Sequence, residues 1–383
     1  MQRWIRTTRG FTLLELMVSM GIGILLLGVA LMSFRQAVNA TWVTSQKSEM
    51  QQDFRAAGNL IARDISMAGS GSLGQSGLAS NSVGLPFGTG TQPVYPCSAT
   101  ACNFISGGAI TYPTVTGAAY LYSIIPGYNT GIIVNATEGP TDTITVAYAD
   151  ANLALNCYFV TVTSSTTVTF QLPIVLPSTC ILPTGVAAPQ ALNDPVVGLQ
   201  AGDYILFGQS AAAVVTTVAT TAVTNAALYS AAYKVTFSAT DPGHINQPTA
   251  TSGSLKQLFV AGTLVSAARL LLITYYLDIS PVDGVTPRLM RIQSGKAPSP
   301  VAENISYLKF SYDVDNNGVI TANQTSLPAG ITPNMITKVN ILHMTIRSQM
   351  RGTSGYQGLD LQTSISARNL TMGQEYPISG TAY

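Results

Sequence analysis

Among the titratable residues of this chain, Glu15 stands in the least ordinary place. It is the only charged side chain in the 24 residues from Phe11 to Phe34, and Arg3, Arg6 and Arg9 precede that run. A carboxylate inside a membrane helix costs about 2.5–3.5 kcal/mol at the helix centre on insertion scales. The cost falls when the group is shallow or paired, so the acid either snorkels, is protonated or meets a cation.

A second constellation is DVDNNG, Asp313 to Gly318, which spells the first half of a calcium loop. Asp313, Asp315 and Asn317 would supply oxygens. The twelfth position, however, is Gln324, where such a loop needs a bidentate glutamate. An Asp/Asn/Gly turn between two strands explains the segment without a metal, and no metal site is expected. Four cysteines, Cys97, Cys102, Cys157 and Cys180, form an even set behind an export-like segment, which reads as disulfides. Their spacings match no zinc or redox motif. Pairing neighbours in sequence, Cys97 with Cys102 and Cys157 with Cys180, is the simplest of three connectivities. The two histidines, His244 beside Pro242-Gly243 and His343 in a strand-like run, suggest no nucleophile–base pair. Neither a G-x-S-x-G, an H-E-x-x-H nor a phosphate loop occurs, so no enzyme, cofactor or small-molecule substrate is expected.

The elements that carry these residues follow from pattern. At 1.5 Å per residue, Phe11 to Phe34 makes a helix of about 36 Å, enough to cross a hydrocarbon core of about 30 Å. The arginines hold its start on the cytoplasmic side. A cleavable secretory signal would have a shorter apolar region closed by a small-residue site, and neither is present. The helical pattern continues past the membrane. No proline occurs before Pro86, and Met50, Phe54, Ala57, Ile61, Ile65 and Ala68 recur at spacings of three and four. Lys47, Glu49, Asp53, Arg55, Arg63 and Asp64 are read as distributed around that stripe. Ala68-Gly69-Ser70-Gly71-Ser72 ends the helix near Met67.

Beyond residue 75 the composition turns to glycine, serine, threonine and proline, with short β-branched runs between turns. Residues 142–148, 161–172, 202–207, 270–277 and 338–346 read as strands, and no second long helix is evident. The uncharged stretch from Ser210 to Tyr233 is too rich in threonine for a second span and reads as strands and turns. Charged residues make up only 9% of the chain, and without the first ten residues the net charge falls from +1 to −2. That balance gives no electrostatic support for binding a phosphate backbone, so nucleic acid is not indicated as a partner.

The stretch RGFTLLELMVSM, Arg9 to Met20, resembles the class III signal of type IV pilins and pseudopilins: a short basic leader, Gly10, Phe11, and Glu15 as fifth residue of the mature chain. The resemblance implies that a prepilin peptidase cuts between Gly10 and Phe11 and methylates the new amine of Phe11. It gives Glu15 a partner. Within one subunit that amine lies at i, i+4; between subunits, an incoming Glu15 neutralises an unpaired Phe11 amine at a filament end. Segments 51–69, 141–150, 201–208, 274–293, 303–318, 338–348 and 366–370 are similar in order to PilW-type minor pilins. Residues 76–140 and 209–265 match little, and Asn340 stands where that family's pattern suggests an arginine.

The implied fold is α+β and pilin-like. Residues 1–10 form the leader, 11–34 the transmembrane and filament-core helix, 35–70 its amphipathic continuation, and 71–383 a β-rich globular domain with room for an inserted region within 76–265. The implied role is a minor pilin that helps initiate or prime a type IV pilus. Its partners would be other major and minor pilins, the prepilin peptidase and the inner-membrane assembly platform. It would start in the bacterial inner membrane, leader cytoplasmic and C-terminal domain periplasmic, and move to the pilus and cell surface. Two competing roles share the same N-terminus: a minor pseudopilin of a type II secretion system, and a pilus-tip adhesin or DNA-capture module. Exposed aromatic clusters or a basic groove would favour the last.

Overall fold

A computed structural model describes residues 12–70, 82–84, 120–209, 212–225, 231–237, 255, 259–294, 296–316, 318–328, 331, 333–349 and 356–367. The chain divides into two compact units, Met1–Gln52 with Ser348–Gln357, and Asp53–Arg347 with Gly358–Tyr383. One helix, α1 (Leu13–Ser66), contributes to both.

In the first unit, α1 is apolar from Leu13 to Phe34, and the large side chains of that stretch are all exposed, from 52% at Val18 and Ile22 to 79% at Leu13. This is the one helix among the described residues long and apolar enough to cross a membrane.

The second unit is β-rich. Its strands are β1 (Ser82–Gly84), β2 (Tyr120–Tyr122), β3 (Ile124–Gly127), β4 (Thr143–Ala149), β5 (Phe159–Ser164), β6 (Thr167–Gln171), β7 (Tyr204–Gln209) and β8 (Ala212–Asn225). They continue with β9 (Ala232–Phe237), β10 (Leu264–Ile279), β11 (Pro287–Gln293), β12 (Ser299–Glu303), β13 (Ile305–Asn316), β14 (Val319–Gln324), β15 (Ile336–Gln349) and β16 (Tyr356–Ser366), the last two with their far ends in the first unit. Every strand pairing described is antiparallel. The run 161–172, read as strand, holds a hairpin: β5 and β6 pair with a shift between Val162 and Ser164. Serine and threonine there serve the turn, where Thr166 N–H donates to Ser164 Oγ at 3.2 Å.

Besides the two-stranded pair β1–β2, the strands form three layers, the last two being parts of one ten-stranded sheet that share β10. A four-stranded sheet runs β14-β13-β15-β16. A second sheet, β3-β4-β10-β11-β12, is built on β10, whose residues from Leu272 to Asp278 are all buried. Both faces of that half-strand are covered, which its unbroken apolar run LLLITYYL requires. The third layer closes on itself. β5 pairs β6, β6 pairs β9, β9 pairs β8, β8 pairs β7, β7 pairs β10 and β10 returns to β5. This is a six-stranded antiparallel ring with no open edge. Alternation explains its interior. Val160 and Val162, Val168 and Phe170, Ile205 and Phe207, Tyr233, Val235 and Phe237, and Val265 and Ala267 point into one core, at period two along each strand. The weakly matching region 209–265 thus includes two of the six strands of a barrel with a core of its own.

Between β6 and β7 a long segment without strands packs on that barrel. Leu192 and Leu199 belong to the barrel core. Tyr158 Oη donates to Gln190 O at 2.6 Å, Asn156 Nδ2 donates to Thr179 O at 2.6 Å, and Cys157 is disulfide-bonded to Cys180. The segment is held at several points along its length.

Candidate functional site: the helix start and its anchor

The chain's strongest chemical signal lies at the start of α1. Thr12 precedes the first helical residue, and Glu15 is the third residue inside. Glu15 N–H donates to Thr12 Oγ1 at 3.2 Å, while Thr12 N–H and Thr12 Oγ1 donate to Glu15 Oε2 at 3.1 and 3.2 Å. This is a reciprocal capping box: two backbone donors that the helix cannot satisfy internally are satisfied by two side chains. Glu15 therefore has an intrachain partner that the composition reading did not foresee. The T-x-x-E spacing in FTLLE could have found it. The carboxylate also lies at the positive end of the helix dipole. Gly10 and Phe11, the expected processing pair, lie outside the described residues.

The geometry is a capped helix that exposes apolar side chains along its first six turns, with one acid in its first turn. A family model for the prokaryotic N-terminal methylation motif matches residues 5–31. This is the type IV pilin and pseudopilin signal. No curated protein and no solved structure matches the chain. The prepilin motif, the long helix and the antiparallel β-rich domain together make an α+β, pilin-like protein. The motif implies processing by a prepilin peptidase and pilus or pseudopilus assembly with other pilins. With its exposed apolar helix, the chain fits a membrane-anchored pilin.

The other end of α1 carries a second polar site. Phe54, Ala57, Ile61, Ile65 and Ala68 are buried, and so, against expectation, is Asp64, at 1% exposure. Residues 54, 57, 61, 64 and 68 follow a three-four alternation, so Asp64 sits in the buried stripe and not around it. Its Oδ1 accepts from Tyr148 Oη at 3.0 Å, and its Oδ2 from Tyr275 Oη at 2.5 Å and Arg291 Nε at 3.0 Å. Tyr275 and Arg291 are directly opposed on β10 and β11, and Tyr148 comes from β4. Burial, followed by the Asp64 charge, pushes both phenols well above their usual range, so they remain O–H donors. Three strands thus hold the helix end through one carboxylate. Gly58, one turn and a half earlier, lets α1 approach the other sheet: a Cβ there would stand 2.8 Å from Leu361 Cδ2.

Asp142 joins the two open sheets in a similar way. Its backbone N–H donates to Leu308 O at 2.9 Å, and its carboxylate accepts from Phe310 N–H at 3.0 Å and Lys309 Nζ at 2.8 Å. Burial raises its pKa, a shift that these bonds partly offset. Arg269 performs the corresponding task at the barrel. It binds Asp150 Oδ2 through Nε at 2.9 Å and the carbonyls of Val197 and Gly198 at 2.9 and 2.8 Å.

The remaining sequence-derived candidates separate. Cys157 and Cys180 are joined, whereas Cys97 and Cys102 lie outside the described residues. Asp313 and Asp315 both lie on β13 before the turn into β14, and Asn317 is outside the described residues. Asp315 Oδ1 accepts from Gly318 N–H at 2.7 Å, with Gly318 at φ +87°, while Asp313 Oδ1 accepts from Asn323 N–H at 2.9 Å and Asn340 Nδ2 at 3.0 Å. Among the described residues no group of three or more His, Cys, Asp or Glu is placed to hold a metal. His343 Nδ1 lies 2.8 Å from Asp360 Oδ2. His244 lies outside the described residues.

Proposed function

We propose that the chain is a minor pilin of the type IV pilus, of the PilW type, that helps initiate or prime filament assembly. The observation that carries this reading is the Gly10, Phe11 and Glu15 constellation within the methylation motif at residues 5–31, followed by a helix and a β-rich domain. Cleavage between Gly10 and Phe11 creates a methylated amine one helical turn before Glu15. In the precursor, Thr12 satisfies the carboxylate; at a filament end, a neighbouring Phe11 amine offers it a full opposite charge in lipid, where such a pair is far stronger than in water. Leader and arginines stay cytoplasmic, and the β-rich domain lies in the periplasm before it reaches the pilus surface. Residues 11–34 serve as anchor and filament core, and 35–70 tie them to the domain.

Replacing Glu15 by alanine is expected to leave membrane insertion and peptidase cleavage intact while reducing incorporation into pili. Normal piliation with that variant, counted by electron microscopy, would remove Glu15 from the docking step. The role of minor pseudopilin in type II secretion makes the same prediction for Glu15 but places the loss in secretion, so both phenotypes are scored. The barrel inserted between β4 and β11 supports a second reading, a binding module carried at the pilus tip. A closed barrel with its own core and a stapled segment can present a surface, while the half of β10 paired with β4 and β11 serves the helix anchor.

A further inference from the structure

On the outer face of the four-stranded sheet, residues far apart in sequence form an aromatic cluster in which Tyr128 and His343 are exposed and Tyr307 is half-buried. Lys309 on β13 pairs in register with His343 on β15, and Tyr307 lies two residues before Lys309 on the same face. The Tyr307 ring lies 6.3 Å from the His343 ring, tilted by 39°. From the β3–β4 connection Tyr128 closes the other side, with Lys309 Nζ 5.1 Å from its ring centroid. Tyr128 is 46% exposed, and the side chains of His343 and Asp360 are 47% and 39% exposed.

Charge on this face is internally matched. Lys309 Nζ lies 2.8 Å from Asp142 Oδ1, and His343 Nδ1 lies 2.8 Å from Asp360 Oδ2. Neither Lys309 nor His343 stands free as a counter-charge for an anionic ligand. What the face offers outward is ring surface beside a carboxylate acceptor held in place by its neighbours, Thr345 Oγ1 at 3.4 Å and Gln362 Nε2 at 3.5 Å. Pyranose sugars carry the complementary chemistry: C–H groups on one face of the ring for the aromatics, hydroxyl donors at the edge for the carboxylate.

We propose that Tyr128, Tyr307, His343 and Asp360 form a binding site for a neutral oligosaccharide. Tyr307 and His343 take the apolar face of a sugar ring, Tyr128 borders it beyond Lys309, and Asp360 accepts hydroxyls. This deepens the reading of the domain as a binding module and rests on it.

The test uses the purified full-length chain in detergent, titrated calorimetrically with cellotetraose, chitotetraose and maltotetraose, with trigalacturonate as an acidic control. Saturable binding of a neutral tetrasaccharide is expected. Tyr307→Ala should weaken it by about tenfold, the scale of losing one aromatic contact, and Tyr307→Phe should retain it. His343→Ala should weaken it as well, with unchanged circular dichroism in all three variants. Absence of binding to all three neutral sugars, preference for trigalacturonate, or full binding by Tyr307→Ala would overturn the proposal. Pilus counts in the same variants separate this site from the assembly role. Tyr307→Ala should make normal pili, and its loss of piliation would mark the face as a contact between subunits instead.

Discussion

Replacing Asp64 by alanine removes the one carboxylate on which Tyr148, Tyr275 and Arg291 converge. Hydrogen bonds to a charged group contribute about 1.5–3 kcal/mol each, and breaking a buried ion pair by deleting one partner costs about 3–5 kcal/mol because the other charge is stranded. Arg291 keeps 20% of its side chain exposed, so water recovers part of its solvation. The two phenols have no such recourse. The lower part of the range follows, about 3 kcal/mol. With a urea dependence of about 3 kcal/mol per molar, the unfolding midpoint of the β-rich domain should fall by about 1 M. The assay is urea titration in detergent followed by far-ultraviolet circular dichroism, with hydrogen exchange at residues 60–68 as the local readout. Replacing the ion pair with apolar residues, Asp64→Leu with Arg291→Met, should cost less than Asp64→Ala alone, since no charge is left unpaired. A shift below about 0.3 M for Asp64→Ala, or a double variant that loses the sum of its singles, would refute the anchor.

Two further outcomes follow from the same geometry. Opening the Cys157–Cys180 disulfide releases a loop of 23 residues in sequence separation, and replacing both cysteines by serine should cost about 3 kcal/mol, seen as a lower melting temperature under oxidising but not reducing conditions. Asp283 accepts from Thr286 Oγ1 and from the backbone N–H of Thr286 and Val285 at 3.0 Å each, bonds that lower its pKa to about 2. A folded pKa below the unfolded value near 3.8 means that the turn's contribution is complete above pH 3.8 and is lost as pH falls through 2. Carboxyl carbon titration by nuclear magnetic resonance should place the midpoint there, and Thr286→Val should move it upward.

Much of the helix was legible because its signals are local. The apolar run, the arginines before it and the stripe from Phe54 to Ala68 depend only on spacing. Asp64 was misjudged for a reason also visible in spacing: it occupies a stripe position, but a carboxylate on an apolar stripe can be recognised as buried only when its donors are known. Those donors are 84, 211 and 227 residues away in sequence. The barrel strands could be read from their alternation, whereas closure could not, because it depends on β10 pairing with both β5 and β7. Tyr128, Tyr307 and His343 carry no motif at all; the register of β13 on β15 makes Tyr307 and His343 neighbours, and Lys309 meets Tyr128 from the β3–β4 connection. The Thr12–Glu15 cap is the reverse case, a local signal carried by the T-x-x-E spacing alone.

This N-terminus is proposed to be processed into the start of a filament subunit. Mass spectrometry of the N-terminal peptide of the membrane-extracted protein tests it directly. The expected mature chain begins at N-methylated Phe11, with Met1 to Gly10 absent. A mature protein that retains Arg9 and Gly10, or one cleaved beyond Phe34, would contradict it.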